Sequence, residues 1–310
     1  MTNFGFWNVN SRRNLGKDRQ EVPLFVGHLA RERSLDVLFL IECAIPFASL
    51  LTPYVTGPTY YPVSSGERFR VLSRFDPKYM QLLQSPVLSD RFDIWHLTLP
   101  LQADVLLCVV HGLDKRNNSP AKQELFLQQV LEALSYFERK IGHDRSIVLG
   151  DFNASPFESP IASALGMNAV ISQAIARGDP RRMLNQSYKY FYNPMWNLLG
   201  DARHDSAPAT YYRRGSDPHE LYWHMLDQVL IRPSLLGRFD FAALGIVSTV
   251  QGTKLTGASG IPDQTRFSDH LPVVFRIDLS AKNEEGAKDV YESVAGFRGH
   301  ANASIPESRS

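Results

Sequence analysis

Short runs of apolar, β-branched and aromatic residues, each closed by turn residues, recur along this chain and set the limits on its fold. Phe4–Val9, Val37–Glu42, Phe69–Ser73, Ile94–Leu99, Val105–His111, Ser146–Gly150, Leu226–Ile231 and Pro272–Ile277 read as strands, and Phe241–Val250 as a weaker one. Val105-Leu106-Leu107-Cys108-Val109-Val110 is apolar at every position, which suits the centre of a buried sheet. Asp93–Leu99 is close to alternating, as in a half-buried antiparallel strand. The gap between these two runs is too short for a crossover helix.

Helical periodicity is clearest in two stretches. Asp18–Arg33 carries Val22, Phe25, Val26 and Leu29 at helical spacing. Pro120–Ile141 opens with Ser119 as N-cap and Pro at the first helical position, and lays Leu125, Leu127, Val130, Leu131, Leu134 and Phe137 mostly along one face. With strands in such excess, the expected fold is α/β (α+β): a four-layer sandwich of two packed, mainly antiparallel β-sheets flanked by helices. Residues 1–280 are expected to form one domain. From Ala281 onward the chain is polar and poor in apolar residues. Residues 281–310 therefore read as a mobile tail with one short helix near Asp289–Val294.

Several classes of protein are excluded early. No apolar run approaches the roughly 18 residues that a membrane span requires. Met1–Trp7 has neither a basic segment nor a long apolar stretch, so no secretory signal is expected there. A formal net charge of +1 gives no global field to attract nucleic acid or anionic lipid, although a site can be locally basic. Cys43 and Cys108 each follow an apolar stretch, and read as buried thiols of a cytoplasmic protein with no disulfide framework.

Polar residues stand where the strand-like runs stop, which is where a sheet-based enzyme presents its chemistry. In order they are Asn8, Glu42, His111, Asp151 and Asn153 in Gly-Asp-Phe-Asn, Asp227, and Asp269 with His270 in Ser-Asp-His. A carboxylate such as Glu42 at the end of an apolar strand is costly unless a cation or donor compensates it. Taken alone, it could be held by a structural salt bridge, and Gly-Asp-Phe-Asn could be a strand-ending Asx turn.

The ordered set of Asn, Glu, His, Gly-Asp-x-Asn, Asp and Ser-Asp-His resembles the metal-dependent endonuclease/exonuclease/phosphatase superfamily. That group contains deoxyribonuclease I, exonuclease III and the neutral sphingomyelinases. The resemblance runs from about Phe4 to Asp278, and implies hydrolysis of a phosphodiester by water without a covalent enzyme intermediate. It implies Mg²⁺ or Mn²⁺, with Glu42 as the main metal carboxylate, Asn8 orienting the metal shell or a phosphate oxygen, and Asp269 completing the site. Hard oxygen ligands suit these ions. His270 is the expected general base or electrostatic partner, its tautomer held by Asp227. Asp151 and Asn153 position the water and the phosphoryl oxygen, and His111 donates to a phosphate oxygen. Whether the proton passes to His270 or to Asp151 stays open.

Two positions depart from the base-excision branch of that superfamily. Asn10 stands where Asp is usual in Trp-Asn-x-Asp, and His111 where Tyr is usual. Histidine there looks more like the deoxyribonuclease, deadenylase, sphingomyelinase and phosphoinositide branches. Arg74, in Val-Leu-Ser-Arg, resembles the family's Ser-Lys/Arg step, and either binds phosphate or forms a surface salt bridge. Arg12-Arg13 could clamp a phosphate.

Residues 172–223 form an insert rich in arginine and aromatic residues, expected to rim the site and to hold substrate-binding Arg213 and Tyr211. Interleaved arginine and tyrosine are what a single-stranded nucleic-acid groove uses. His219-Glu220 and His224 lack the spacing of a zinc site. His28, His96, His143, His204 and His300 carry no pattern. The reading that follows is a nuclease acting on DNA or RNA. A small-molecule or lipid phosphoesterase on the same scaffold is the alternative, and a catalytically silent binding protein the third.

Overall fold

In the computed structural model, the described residues are 1–10, 21–51, 59–63, 68–87, 89–183, 185–201, 206–216, 218 and 220–280. Arg12, Arg13, Arg203, His204, His219, His300, the first residues of the expected helix from Asp18 and the 281–310 tail lie outside them.

The first eight strands are β1 (Thr2–Asn8), β2 (Val37–Ile41), β3 (Tyr61–Val63), β4 (Phe69–Ser73), β5 (Met80–Leu83), β6 (Phe92–Leu97), β7 (Val105–His111) and β8 (Ser146–Asp151). The helices that pack on them are α1 (Val22–Glu32), α2 (Phe47–Leu51) and α3 (Pro120–Ile141). A six-stranded sheet runs in the order Phe239–Ile246, Val273–Ile277, β1, β2, β4, β3. A seven-stranded sheet runs β5, β6, β7, β8, Asp227–Ile231, Phe191–Tyr192, Ala169–Val170. Most pairings are antiparallel. Of the three parallel pairs, β1/β2 and β7/β8 are joined through α1 and α3 respectively, as parallel neighbours need a crossover, and the third is Ala169–Val170 with Phe191–Tyr192.

Side-chain alternation sorts the core into layers. In β7, Val105, Leu107 and Val109 pack into the cluster between the sheets, while Leu106, Cys108 and Val110 join α3 on the outer face. β8 divides in the same way, with Ile147 and Leu149 inward and Val148 toward α3. Both faces are covered, which is why these strands read as unbroken apolar runs. Helix α3 has the expected bounds: Ser119 Oγ accepts from Lys122 N at 3.4 Å, and Gly142 ends the helix at φ +91°. Cys43 and Cys108 are buried free thiols. No helix among the described residues is long and apolar enough to cross a membrane.

The departures from expectation lie at edges and irregularities. β3 and β5 gave no strand signal. Each sits at a sheet edge, and Pro62 inside β3 is tolerated there because an edge position leaves no ladder bond to lose. The expected Phe241–Val250 strand is divided. Phe239–Ile246 pairs with Val273–Ile277 through a register shift between Asp240 and Gly245, and Thr249–Val250 forms a separate ribbon with Thr253–Lys254. The 172–223 insert is not all rim: Phe191, Tyr192, Met195 and Leu198 are core residues.

Candidate active site

Strand register assembles the site. His111 pairs across β7/β8 with Asp151, and Asp151 pairs with Asp227 on its other side. Directly paired residues project to one face. These three lie two residues from Val109, Leu149 and Val229, all in the cluster between the sheets. The row therefore faces the other sheet, at the end where Asn8 and Glu42 leave β1 and β2. Gly150 permits the close approach here: at φ +145°, a Cβ on it would lie 2.0 Å from the Val110 carbonyl oxygen.

Asn8 bridges the sheets, its Nδ2 donating to Asp151 Oδ2 at 3.0 Å and to Glu42 Oε1 at 3.4 Å. Glu42 turns back over the strand end at φ +49°, and Asn10 and Asn153 share that left-handed conformation at +42° and +51°. Such conformations are uncommon for a residue other than glycine or asparagine, and Glu42 holds one beside the candidate chemistry. Asn153 N donates to Asp151 Oδ1 at 2.8 Å, so both Asp151 oxygens are fixed.

The Ser-Asp-His segment is strapped to the end of β1. Ser268 Oγ donates to the Asn8 carbonyl at 2.6 Å and accepts from His270 N at 3.1 Å. Trp7 Nε1 donates to the His270 carbonyl at 2.9 Å, and Asn10 Nδ2 donates to Asp269 Oδ1 at 2.7 Å. The His270 ring is thereby placed with Nδ1 2.8 Å from Asp227 Oδ2 and Nε2 3.9 Å from Asp151 Oδ2.

The electrostatics follow from these contacts. Burial alone would favour neutral His270, but the carboxylates of Asp227 and Asp151 outweigh it and push the imidazole up to about 10. Burial raises the pKa of Asp227. For Glu42, burial opposes ionisation, yet the hydrogen bond from His111, with the charges of His111 and His270, brings it down to about 2. His111 Nε2 lies 3.3 Å from Glu42 Oε1, and its Nδ1 lies 3.3 Å from Arg68 Nη1.

A cavity of about 560 Å³ opens over these groups, lined by Glu42, His111, Asp151, Asn153, Asp269 and His270. Arg68, Arg91, Lys115, Arg116, Arg213 and Arg214 also line it, as does Tyr211, whose ring centroid is 4.8 Å from that of His270. Asn8 and Asp227 lie buried beneath. A larger groove of about 790 Å³ beside α3 contains none of the expected site residues. Glu42 and Asp269 present hard carboxylate oxygens of the kind a divalent cation takes to the cavity, whereas Asn8, expected as a third ligand, turns its Nδ2 to Glu42 and its Oδ1 accepts from Asn10 N at 3.0 Å. Among the described residues, Asp151, Asp227 and His270 also bring ligand-type atoms within 4.8 Å of one another.

Arg74 is a correction. Ser73 pairs with Val37 at the start of β2, so Arg74 lies at the opposite end of the sheet from Glu42 and forms an exposed salt bridge with Asp36 at 3.4 Å. Of the two arginines flanking β4, it is Arg68, just before the strand, that reaches the cavity. Neither it nor Arg91, Lys115 or Arg116 was singled out in the sequence, because no motif surrounds them. From the insert, Tyr211, Arg213 and Arg214 line the cavity, whereas Arg181 and Arg182 lie in a separate hairpin with Gln186–Tyr188. His96 and His143, patternless in sequence, both contact Asp104.

No curated protein matches the sequence. Among solved structures, TDP2 of D. rerio complexed with single strand DNA product is similar at TM-score 0.54 and 16% identity, covering 89% of this chain and 98% of that one. An AP endonuclease from Archaeoglobus fulgidus is similar at TM-score 0.52 and 16% identity, covering 90% and 100%. An endonuclease/exonuclease/phosphatase family protein from Leptotrichia buccalis is similar at 0.53 and 12%, covering 90% and 100%. At these identities the likeness is one of fold, a sandwich shared over nearly the whole of each chain. The sequence itself matches the Endonuclease/Exonuclease/phosphatase family over residues 5–270, from β1 through the His270 that closes the site, and the chain belongs to that family.

Proposed function

We propose that this protein is a cytoplasmic, Mg²⁺- or Mn²⁺-dependent phosphodiesterase that cleaves nucleic acid by attack of water. The observation that carries the reading is the convergence of His111, Asp151, Asn153, His270, Glu42 and Asp269 on one cavity, with Asp227 and Asn8 holding them from beneath.

Phosphodiester cleavage needs a placed water, relief of charge on the phosphoryl oxygens and help for the leaving oxygen. Glu42 and Asp269 would hold the cation, with Asn8 Nδ2 orienting Glu42 from beneath, and the ion would supply Lewis-acid neutralisation of phosphoryl charge. His270, with its proton held at Nδ1 by Asp227 and its pKa raised, presents Nε2–H as a donor to a phosphoryl oxygen. That leaves Asp151 to take the proton from water, with Asn153 and Asn8 fixing its carboxylate. His111 donates from Nε2.

Six cationic side chains around the cavity favour a polyanion over a small neutral-tailed ester: Arg68, Arg91, Lys115, Arg116, Arg213 and Arg214. Tyr211 adds an aromatic surface beside His270. The test incubates the protein with supercoiled plasmid, single-stranded DNA and RNA, in Mg²⁺, Mn²⁺ or EDTA, beside His270→Ala. Metal-dependent cutting lost in the variant is the expected result. If none of the polymers is cut while small phosphodiesters are, the nucleic-acid assignment fails and the phosphoesterase alternative replaces it.

A further inference from the structure

The His-Glu…His segment that lacked zinc spacing has another use in the structure. Tyr211–Tyr212 and Trp223–His224 pair as a short hairpin, with Tyr211 opposite His224 and Tyr212 opposite Trp223. Tyr211, Arg213, Arg214 and His224 all line the candidate active-site cavity, while Trp223 packs against the main core. Opposite faces of one hairpin thus serve as anchor and as cavity wall.

Glu220 organises that wall. Its side chain is 5% exposed, and Oε1 accepts from His224 Nε2 at 2.7 Å and from Tyr222 N at 3.1 Å. Oε2 lies 3.6 Å from Arg213 Nε. Gly215 gives the carboxylate its room, because a Cβ there would lie 2.5 Å from Glu220 Oε2. A carboxylate so enclosed, with two side-chain cations or donors on it, is an orienting group more than a surface charge. Since the carboxylate only accepts, one proton of His224 is on Nε2, and Nδ1 donates to a phosphate oxygen from the imidazolium form, which the Glu220 carboxylate and a bound phosphate both favour. The ring of Tyr211 neighbours both imidazoles, 4.8 Å from His270 and 6.3 Å from His224 between centroids.

We propose that His224, Arg213 and Arg214, oriented by Glu220, form a second phosphate subsite that binds a phosphate group neighbouring the one being cleaved. The ligand class is therefore a chain of linked phosphodiesters, not an isolated phosphate ester. The inference rests on the phosphodiesterase reading above and specifies its substrate. His270 and Asp227 act on the reacting phosphate; His224 and Glu220, a second imidazole–carboxylate pair in the same cavity, act on the next one. Glu220 is a positioning residue that works through His224 and Arg213.

The test compares two substrates of whichever nucleic acid the protein cuts: a dinucleoside monophosphate, which has one phosphate, and a decanucleotide. The kcat/KM ratio of the long substrate to the short one is measured for the wild type, His224→Gln, Glu220→Gln and Arg213→Ala. Each variant is expected to lower that ratio about tenfold, mainly through KM for the decanucleotide. Arg213→Ala serves as the control for folding, since the Arg213 side chain is 60% exposed. Equal losses on both substrates, or an unmoved ratio in all three variants, would overturn the subsite. A wild-type protein that cleaves neither compound overturns the phosphodiesterase reading itself, and the subsite with it.

Discussion

Arg68 Nη1 lies 3.3 Å from His111 Nδ1, and the same guanidinium is held by Asp90, with Nη2 at 2.6 Å and Nε at 3.1 Å from Oδ2. A guanidinium has no acceptor, so in the neutral ring the contact makes His111 Nδ1 the accepting nitrogen and puts the proton on Nε2. That proton points to Glu42 Oε1. A chain from Asp90 through Arg68 and His111 to Glu42 thus fixes which nitrogen of His111 can donate into the cavity.

Removing the guanidinium releases that choice. Arg68→Ala is expected to lower kcat about a hundredfold with a smaller change in KM, in line with the low end of what a positioned donor contributes. Asp90 is 75% exposed on its side chain, so Asp90→Asn should have a much smaller effect. Steady-state kinetics on a single substrate separate the two; equal losses in both variants would mean that the ion pair, not the tautomer, is what matters.

Arg68 also shows where sequence reading stops. β7 and α3 were legible to the residue because β7 is covered on both faces and α3 has a serine cap, a first-turn proline and a closing glycine. Asn8, Glu42, His111 and Asp151 were legible for a related reason, since each ends or follows an apolar strand, whereas Asp227 begins its strand and Asp269 and His270 precede theirs. Arg74 and Arg68 flank the same strand, and only the antiparallel pairing of β4 with β2 decides which end meets Glu42. That information is in the register, which no local pattern encodes. β3 and β5 escaped because edge strands bury too little to carry a clear period. Glu220 escaped because its partners come together only when the hairpin closes.

The raised pKa of His270 makes the metal-free protein sensitive to alkali. Its folded value of about 10 stands above the ordinary histidine value, so the charged imidazole stabilises the fold fully below about 6.5 and progressively less as pH rises toward 10. In EDTA, Tm should therefore fall between pH 7 and pH 10. His270→Gln, which has no proton to lose there, should flatten that part of the profile. A wild-type profile no steeper than the variant's would show that Asp227 and Asp151 do not hold the imidazolium as the geometry implies.

At the other end of β7 from the active site, Asp104 collects three partners. Its Oδ2 accepts from His96 Nε2 at 2.7 Å and His143 Nε2 at 2.8 Å, and Arg145 pairs with Oδ1. Arg145 N donates to His143 Nδ1 at 3.1 Å, which places the His143 proton on Nε2, where Asp104 takes it. This makes a hydrogen-bonded clasp between the β6–β7 turn and the residues after α3. Against the opposing effect of burial, these bonds hold the Asp104 carboxyl well below its ordinary value, so its contribution is present at neutral pH and is lost as pH falls through the acid range. Asp104→Asn should cost about 1–3 kcal/mol in urea unfolding at pH 7, as expected for stranding hydrogen-bonded charged partners. Activity at saturating substrate should be unchanged below the unfolding midpoint.

Metal binding can be read without any assay of cleavage. A ligand that binds only the folded state stabilises it by about 2.7 kcal/mol at a hundred times its Kd. For a domain of this size, each kcal/mol raises Tm by roughly 2–4 °C. Titrating Mn²⁺ or Mg²⁺ should therefore raise Tm by several degrees, reversibly with EDTA. Glu42→Gln removes the charge that His111 keeps ionised beside the cavity, and should shift the titration to at least tenfold higher metal. Arg74→Ala, at the far end of the same sheet, should leave the titration in place. If Glu42→Gln responds to metal as the wild type does, the cation is bound elsewhere. The Asp151, Asp227 and His270 cluster would then be the next place to substitute, because its ligand-type atoms already lie within 4.8 Å of one another.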